Sequence, residues 1–374
     1  MIPLSRPWIN DDEINSVVEV LKNGWFAHGP KNNEFERLFA NYVGVNEAIS
    51  VNSCASALQL AILALGIKGE VILPSFTFVA SANAIVTAGA IPVFVDVSYD
   101  TCNIQPEAIE AAVTPRTEAI MVVHFGGQCA DMEKIMKIAA KHKLAVIEDS
   151  AETLGGTHFG RQAGSIGIVG CFSFFPTKNL TTGEGGMVTT SDQEISAKIR
   201  ALMGHGIAKT TLAREKEKRP WLRAATTAGY NYRMSNILAA IGVEQIKKLD
   251  QMNEIRRKRA DQLTEVLKDC SLVKPPQERD CNKHVYQMYT VKVPSNVRDE
   301  LVIRLHNSGI QASVHFDPPV HSQPYYKDSF KVHDMKNTNK LSREIVTLPM
   351  FSGISEKEIQ LVGETCIREL KGLM

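Results

Sequence analysis

The stretch "CFSFFPTKNLTTGEGGMVTT", residues 171–190, holds one lysine, Lys178, between an apolar aromatic run and a glycine-rich turn. A lysine shielded by aromatics loses hydration in its charged form, so its amine gives up a proton more readily. A neutral amine condenses with an aldehyde to form a Schiff base. The other reading is a surface lysine with its stem on apolar groups and its head in water. "LAVIEDSAETLGG" sets Asp149 at the end of an apolar run. In open α/β sheets, ligands collect beyond the carboxyl ends of the strands. A carboxylate there holds a cation, a metal or a protonated ring nitrogen; a helix or turn cap is the plain alternative.

"AISVNSCASALQLA" reads as strand, small-residue turn and helix. Its turn, Asn52, Ser53, Cys54 and Ala55, offers the free N–H groups of a helix start to a phosphate. It is neither a dinucleotide fingerprint nor a P-loop: no G-x-G-x-x-G follows a strand and no G-K-[ST] occurs. "PSFTFVASANA" puts Phe76 and Phe78 beside another strand end, where a ring stacks on a flat ligand or fills the core. Gly183, Gly185 and Gly186 let the backbone approach a cofactor closely. A phosphate turn, a stacking aromatic, a strand-end acid and a shielded lysine, in that order, are the parts a pyridoxal phosphate (PLP) site requires.

The elements that must hold these residues are legible as patterns. "NDDEINSVVEVLKNG" reads as a helix capped by Asn10 and Glu13, with Ile14, Val17, Val18 and Leu21 on one face and a stop at Gly24. "NEFERLFANYVG" repeats this with Phe35, Leu38, Phe39 and Tyr42. From about 45 to 205, apolar strands such as "EVILP", "IPVFVDV" and "LAVIED" alternate with helices such as "SALQLAILALG" and "MEKIMKIAAKHK". Strands apolar throughout, alternating with helices, predict an α/β core with a mostly parallel sheet covered on both faces. Beyond 205 a polar excursion runs over 206–230. It contains "REKEKR", read as a solvated loop. A long, nearly continuous helix follows from "MSNILAAIG" to "TEVLKD". The remainder reads as a small α+β unit, so the expected division is a large domain over 1–245 and a smaller one over 246–374.

The whole chain has 374 residues and a net charge of +1, which leaves no footprint for nucleic acid or an anionic membrane. Seven cysteines at 54, 102, 129, 171, 270, 281 and 366 form no C-x-x-C pair, which argues against a disulfide framework and a zinc site. The start "MIPLSRPWIN" lacks a signal layout, and no apolar run spans a bilayer; the expectation is a soluble cytoplasmic protein.

Taken together, "PLSRPWINDDEINSVVEVLKNGW", "PSFTFVASANAIVTAGAIPVFVDV", "VIEDSAETLGG", "FSFFPTKNLTTGEGGMVTT", "GYNYRMSNILAAIG" and "LPMFSGISEKEI" give the chain a family likeness over nearly its full length. It resembles the DegT-type, fold-type I PLP-dependent aminotransferases that act on nucleotide-linked keto sugars. The resemblance implies that Lys178 forms the Schiff base and shuttles the proton, and that Asp149 pairs with the pyridinium nitrogen. It implies that Phe78 stacks on the ring, while Ser53, Ser173 and the backbone at Cys54 and Ala55 hold the phosphate. Asn231 would reach the phosphate of a neighbouring subunit's cofactor, which implies a homodimer with shared sites.

Two positions depart from the common family pattern. Ala55 stands where a threonine is frequent, so the cup leans on backbone N–H groups and Ser173. Glu152 stands where Gln or His is frequent; it lies near the ring oxygen or contacts the substrate amine. Some members that aminate C4 of the sugar are similar in having Glu there. A related dehydratase replaces the lysine by histidine, so Lys178 favours transamination. Trp25, in "NGWFAHGP", is expected near substrate. His315 and His321, in "SVHFDPPVH", match the family's active-site rim or sit in a surface loop. His124 approaches substrate or is a satisfied strand-end histidine.

The implied reaction moves the amine of L-glutamate to a nucleotide-linked 4-keto-6-deoxy sugar, giving a 4-amino sugar for surface glycan biosynthesis. Alternatives are a 3-keto sugar or another ketone as acceptor, and a non-catalytic regulatory protein of the same fold. A nicotinamide-dependent sugar enzyme is disfavoured by the missing glycine fingerprint.

Overall fold

The computed structural model describes residues 1–207, 221 and 223–373; the basic run at 214–219 lies outside them. Two helices come first, α1 (Asp11–Asn23) and α2 (Pro30–Val43). The alternating part runs β1 (Glu47–Val51), α3 (Cys54–Leu65), β2 (Glu70–Pro74), α4 (Val79–Thr87), β3 (Ile91–Val95), α5 (Pro106–Ala112), β4 (Thr117–Val123), α6 (Met132–His142) and β5 (Ala145–Asp149). A small hairpin, β6 (Thr157–His158) and β7 (Arg161–Gln162), leads to β8 (Val169–Ser173), β9 (Gly186–Thr190) and α7 (Gln193–Met203).

Eight strands form one sheet in the order β1-β9-β8-β5-β4-β2-β3-β12, where β12 is Lys331–Val332. Every neighbouring pair from β8 to β12 is parallel, and β9 runs antiparallel to both β1 and β8. The carboxyl ends of β1, β8, β5 and β2 therefore share one edge, and β9 starts there. Helices cover the two faces, which is why the inner strands carry Val, Ile and Leu on both sides.

The first helix corrects the expectation. Its capping box forms, with Glu13 Oε2 accepting from Asn10 N at 2.9 Å, and Gly24 closes it in the left-handed region (φ 75°). The buried face, however, is Glu13, Ser16 and Val20, whereas Ile14 is 53% and Leu21 50% exposed. The cause lies in α8 (Asn236–Lys247). Glu13 Oε1 accepts from Gln245 Nε2 at 2.5 Å and meets Lys248 Nζ, and Ser16 Oγ donates to Ala240 O. Polar contacts thus set the rotation of α1, and its apolar stripe faces outward.

The expected continuous helix is two. Lys248 leaves helical geometry (φ −110°, ψ 6°), so α8 ends there and α9 (Leu249–Leu267) starts anew. α8 packs on α1 and α2, and α9 packs on α12 (Glu356–Lys371). The second unit contains β10 (Asn282–Lys283), β11 (Tyr289–Lys292), α10 (Arg298–Asn307), α11 (Lys336–Glu344) and β13 (Ile345–Leu348). Its core gathers Leu263, Tyr289, Leu301 and Val362, and it takes in Ile2 from the chain start. Conversely, β12 from the second half joins the edge of the large sheet. No helix among the described residues is long and apolar enough to cross a membrane.

Candidate active site

The shared sheet edge opens into a cavity of about 420 Å³. Asp149 ends β5. Consecutive strand residues point to opposite faces, so Glu148 and Asp149 do different work. Glu148 is fully buried and accepts from His124 Nε2 at 2.9 Å and from the N–H groups of Gly164, Ile166 and Gly167. Ala130 N donates to His124 Nδ1 at 3.1 Å, so the proton of this ring sits on Nε2, facing Glu148. Burial pushes the Glu148 carboxyl up, but His124 and the backbone donors outweigh it and hold it below the usual range. His124 is thus the satisfied strand-end histidine and does not line the cavity, which corrects its candidacy for substrate contact.

Asp149 lines the cavity. Its Oδ2 accepts from Ser81 Oγ at 2.7 Å and its Oδ1 from Ala151 N at 3.2 Å, with Cys54 Sγ at 4.0 Å. Burial raises its carboxyl above the ordinary aspartate value, against the lowering by those two bonds. Lys178 follows β8 in a turn closed by its own N–H to Phe175 O at 2.9 Å. Its side chain is 17% exposed and its Nζ lies 3.5 Å from Glu152 Oε1. The other oxygen of Glu152 is fixed by Gly126 N at 2.9 Å. The aromatic shield is smaller than the sequence suggests. Phe172 and Phe174 turn away into a cluster with Phe35 and Phe39, and Phe175 and Phe316 remain at the cavity.

The small-residue turn after β1 takes the expected strand, turn and helix form. Ser53 Oγ caps α3 by accepting from Ser56 N at 3.1 Å, and the helix start leaves the N–H groups of Cys54 and Ala55 without intrahelical acceptors. Gly186 explains the close packing behind it: a Cβ there would sit 2.7 Å from Cys54 N. That glycine clears room for the turn itself, whereas the sequence reading assigned it to cofactor approach. Ser173 lines the cavity from the end of β8. Phe78, the N-cap of α4, is 63% exposed and lines the cavity, while Phe76 is core.

His315 lines the cavity, with its Nδ1 2.7 Å from Thr347 Oγ1; burial pushes its imidazole below the ordinary histidine value. His321 does not line it. Its Nδ1 lies 2.7 Å from Ser75 Oγ and its backbone N–H donates to the same oxygen, so it fastens the 320–322 turn to the end of β2. Trp25 is also outside the cavity of its own chain, donating from Nε1 to His28 O at 3.2 Å. Asn231 is exposed and away from this cavity, bridged through its backbone to Gly204.

The cavity brings together residues the sequence reading passed over. Thr77 and Ser81 sit on the turn that carries Phe78, and the i, i+3 spacing of Phe78 and Ser81 was a usable signal. Gln287 and Thr347 come from the second unit; Gln287 Nε2 donates to Thr177 O at 3.0 Å, beside Lys178. Nothing local in the sequence marks them.

These parts fit PLP. The helix start receives a dianion. A buried carboxylate with no cation hydrogen-bonded to it is matched by a protonated ring nitrogen. A ring platform and a primary amine complete the donor set.

Comparison with known proteins agrees. A family model described as the DegT/DnrJ/EryC1/StrS aminotransferase family matches residues 7–366. The chain is 40% identical to the spore coat polysaccharide biosynthesis protein SpsC of Bacillus subtilis, over 99% of this chain and 97% of that protein. It is 38% identical to the GDP-perosamine synthase of Caulobacter vibrioides, over 96% of each. A solved structure of the putative sugar aminotransferase Spr1654 from Streptococcus pneumoniae, in its PMP form, matches with a TM-score of 0.94 at 26% identity, over 100% of both chains. The chain belongs to the DegT/DnrJ/EryC1/StrS aminotransferase family, a family of PLP-dependent aminotransferases.

Proposed function

We propose that the protein transfers the amino group of L-glutamate to C4 of a nucleotide-linked 4-keto-6-deoxy sugar, giving a 4-amino sugar for surface glycan assembly. The observation that carries the reading is the convergence of the Lys178 amine, the Asp149 carboxylate and the Phe78 ring on one cavity. The relatives named for polysaccharide biosynthesis and for GDP-perosamine support a nucleotide-linked sugar. Glu152, by its likeness to C4-aminating members, supports the position.

PLP, when bound, supplies an electron sink for the pair left as an amino acid loses its Cα proton. The protein's share is binding, orientation and proton traffic. The N–H groups of Cys54 and Ala55, with Ser173, would hold the phosphate. Asp149 would keep the ring nitrogen protonated, and Phe78 would cover one face of the ring. Lys178 Nζ would take the Cα proton of glutamate and later return a proton at C4 of the sugar. Glu152, fixed by Gly126, would hold the lysine head in place, and His315 would meet sugar or nucleotide.

The same reading makes the active unit a homodimer. Lys178 is the only lysine or arginine among the described lining residues, too few cations for a phosphate and a nucleotide diphosphate. Asn231, exposed and outside its own cavity, would serve the neighbouring copy. The outward apolar stripe of α1 supports such a contact. The division into a PLP-binding domain over 1–245 and a smaller domain over 246–374 belongs to this reading, as does a cytoplasmic setting. The deciding experiment incubates the protein with glutamate and a panel of nucleotide-linked 3-keto and 4-keto sugars. Mass detection should find the aminated 4-keto substrate; amination of the 3-keto panel alone would overturn the C4 assignment.

A further inference from the structure

The acid at the end of β5 is not held by its own strand. Its side-chain bonds all come from outside β5: Ala151 N at 3.2 Å and, weakly, Cys54 Sγ at 4.0 Å to Oδ1, and Ser81 Oγ at 2.7 Å to Oδ2. Ser81 lies in the first turn of α4 and is buried, as is Thr77 just before that helix. Thr77 Oγ1 and Ser81 Oγ are 2.9 Å apart. A hydroxyl has one proton to give, and an ionised carboxylate only accepts. Ser81 therefore spends its proton on Asp149, and Thr77 must donate to Ser81. Two hydroxyls line up head to tail, Thr77 to Ser81 to Asp149, each polarising the next toward the carboxylate.

We propose that Ser81, backed by Thr77, is a positioning residue that keeps Asp149 ionised and fixes the plane of its carboxylate. The inference rests on the PLP reading of the site. Burial drives the Asp149 carboxyl toward its neutral form, and the Ser81 bond works against that drive. A neutral acid cannot hold a protonated ring nitrogen, so a donor aimed at the carboxylate is what this buried position requires. The same short segment also carries Phe78, three residues earlier on the cavity side. One hydrogen bond thus ties the ring platform of α4 to the acid of β5.

The test separates this relay from the reading of the site by using the apoprotein first. Infrared titration of the carboxyl stretch, with Asp149→Asn as the subtraction reference, reads the protonation of Asp149 with no cofactor present. Ser81→Ala should move the midpoint to higher pH, and Thr77→Val should move it the same way by a smaller step. Ser81→Thr, which keeps the hydroxyl, should return it toward the wild-type value. PLP binding, followed by absorbance, should weaken about tenfold in Ser81→Ala, the scale of one lost hydrogen bond to a charged group. A Ser81→Ala midpoint equal to wild type overturns the relay, whatever happens to turnover. If Ser81→Ala folds poorly, an unmoved Thr77→Val midpoint overturns it instead. Wild-type protein that binds no PLP would end the reading of the site and leave the apoprotein result standing.

Discussion

Lys178 Nζ sits 3.5 Å from one oxygen of Glu152, and the other oxygen of that carboxylate is anchored by Gly126 N at 2.9 Å. The anchor matters because a carboxylate fixed at one end presents its second oxygen in one direction. Glu152→Gln keeps the anchor and removes the charge facing the amine. The expected outcome is a 10- to 100-fold slower half-reaction with glutamate, the range of one charge-assisted contact, with cofactor still bound. Single-turnover absorbance measures it. A rate equal to wild type would mean that the Glu152 charge does not position the lysine amine.

Lys178→Ala should lose amino transfer altogether. In the wild type, borohydride followed by peptide mapping should find the cofactor fixed at position 178. The adduct appearing on any other lysine would reassign the nucleophile.

The proposed sharing of sites across a homodimer predicts complementation. Lys178→Ala and Asn231→Asp should each be inactive or nearly so as pure dimers. Unfolded together and refolded, they should recover about a quarter of wild-type activity, because half the dimers are mixed and each mixed dimer has one intact site of two. No recovery in a mixture shown to contain mixed dimers would mean that each chain completes its own site.

Arg256 is a buried cation that meets carbonyls rather than an acid. It donates from one terminal nitrogen to Met350 O at 2.8 Å and more weakly to Tyr286 O and Gln287 O, and burial lowers its guanidinium to about 10. Met350 and Gln287 both line the cavity. Arg256→Met leaves those carbonyls without a donor and should cost about 1–3 kcal/mol in urea unfolding. An unchanged or raised midpoint would show that desolvating the charge cancels what its bonds contribute.

His284 gives a pH signature. Burial, with Arg257 beside it, pushes this imidazole from the ordinary 6.5 down to about 3. Between those values the unfolded chain binds a proton that the folded chain refuses, so stability falls as pH drops. At most about 1.4 kcal/mol is lost per pH unit from this one group. On going from pH 7.5 to 5, wild type should lose about 2 kcal/mol more than His284→Gln. Parallel unfolding midpoints for the two proteins would contradict the shift.

The alternation of apolar strands and helices was readable because both periods are local, and so were the cap at Asn10, the acid at Asp149 and the lysine turn at 178. Each depends on a few neighbouring residues and on backbone preferences that the chain carries with it. The rotation of α1 was not readable, because Glu13 found Gln245 and Lys248 more than 230 residues away. Nor was the fate of two neighbours in the sequence, Glu148 and Asp149: strand alternation sends one into a knot with His124 and the other into the cavity. Phe172 and Phe174 looked like shields for Lys178 until α2 supplied Phe35 and Phe39 to receive them. The candidate site was written in residue types at and just beyond strand ends. Which of those residues meet was decided by packing between distant segments, because a side chain's partner is set by the sheet order and the helix that crosses it, and neither is a local property.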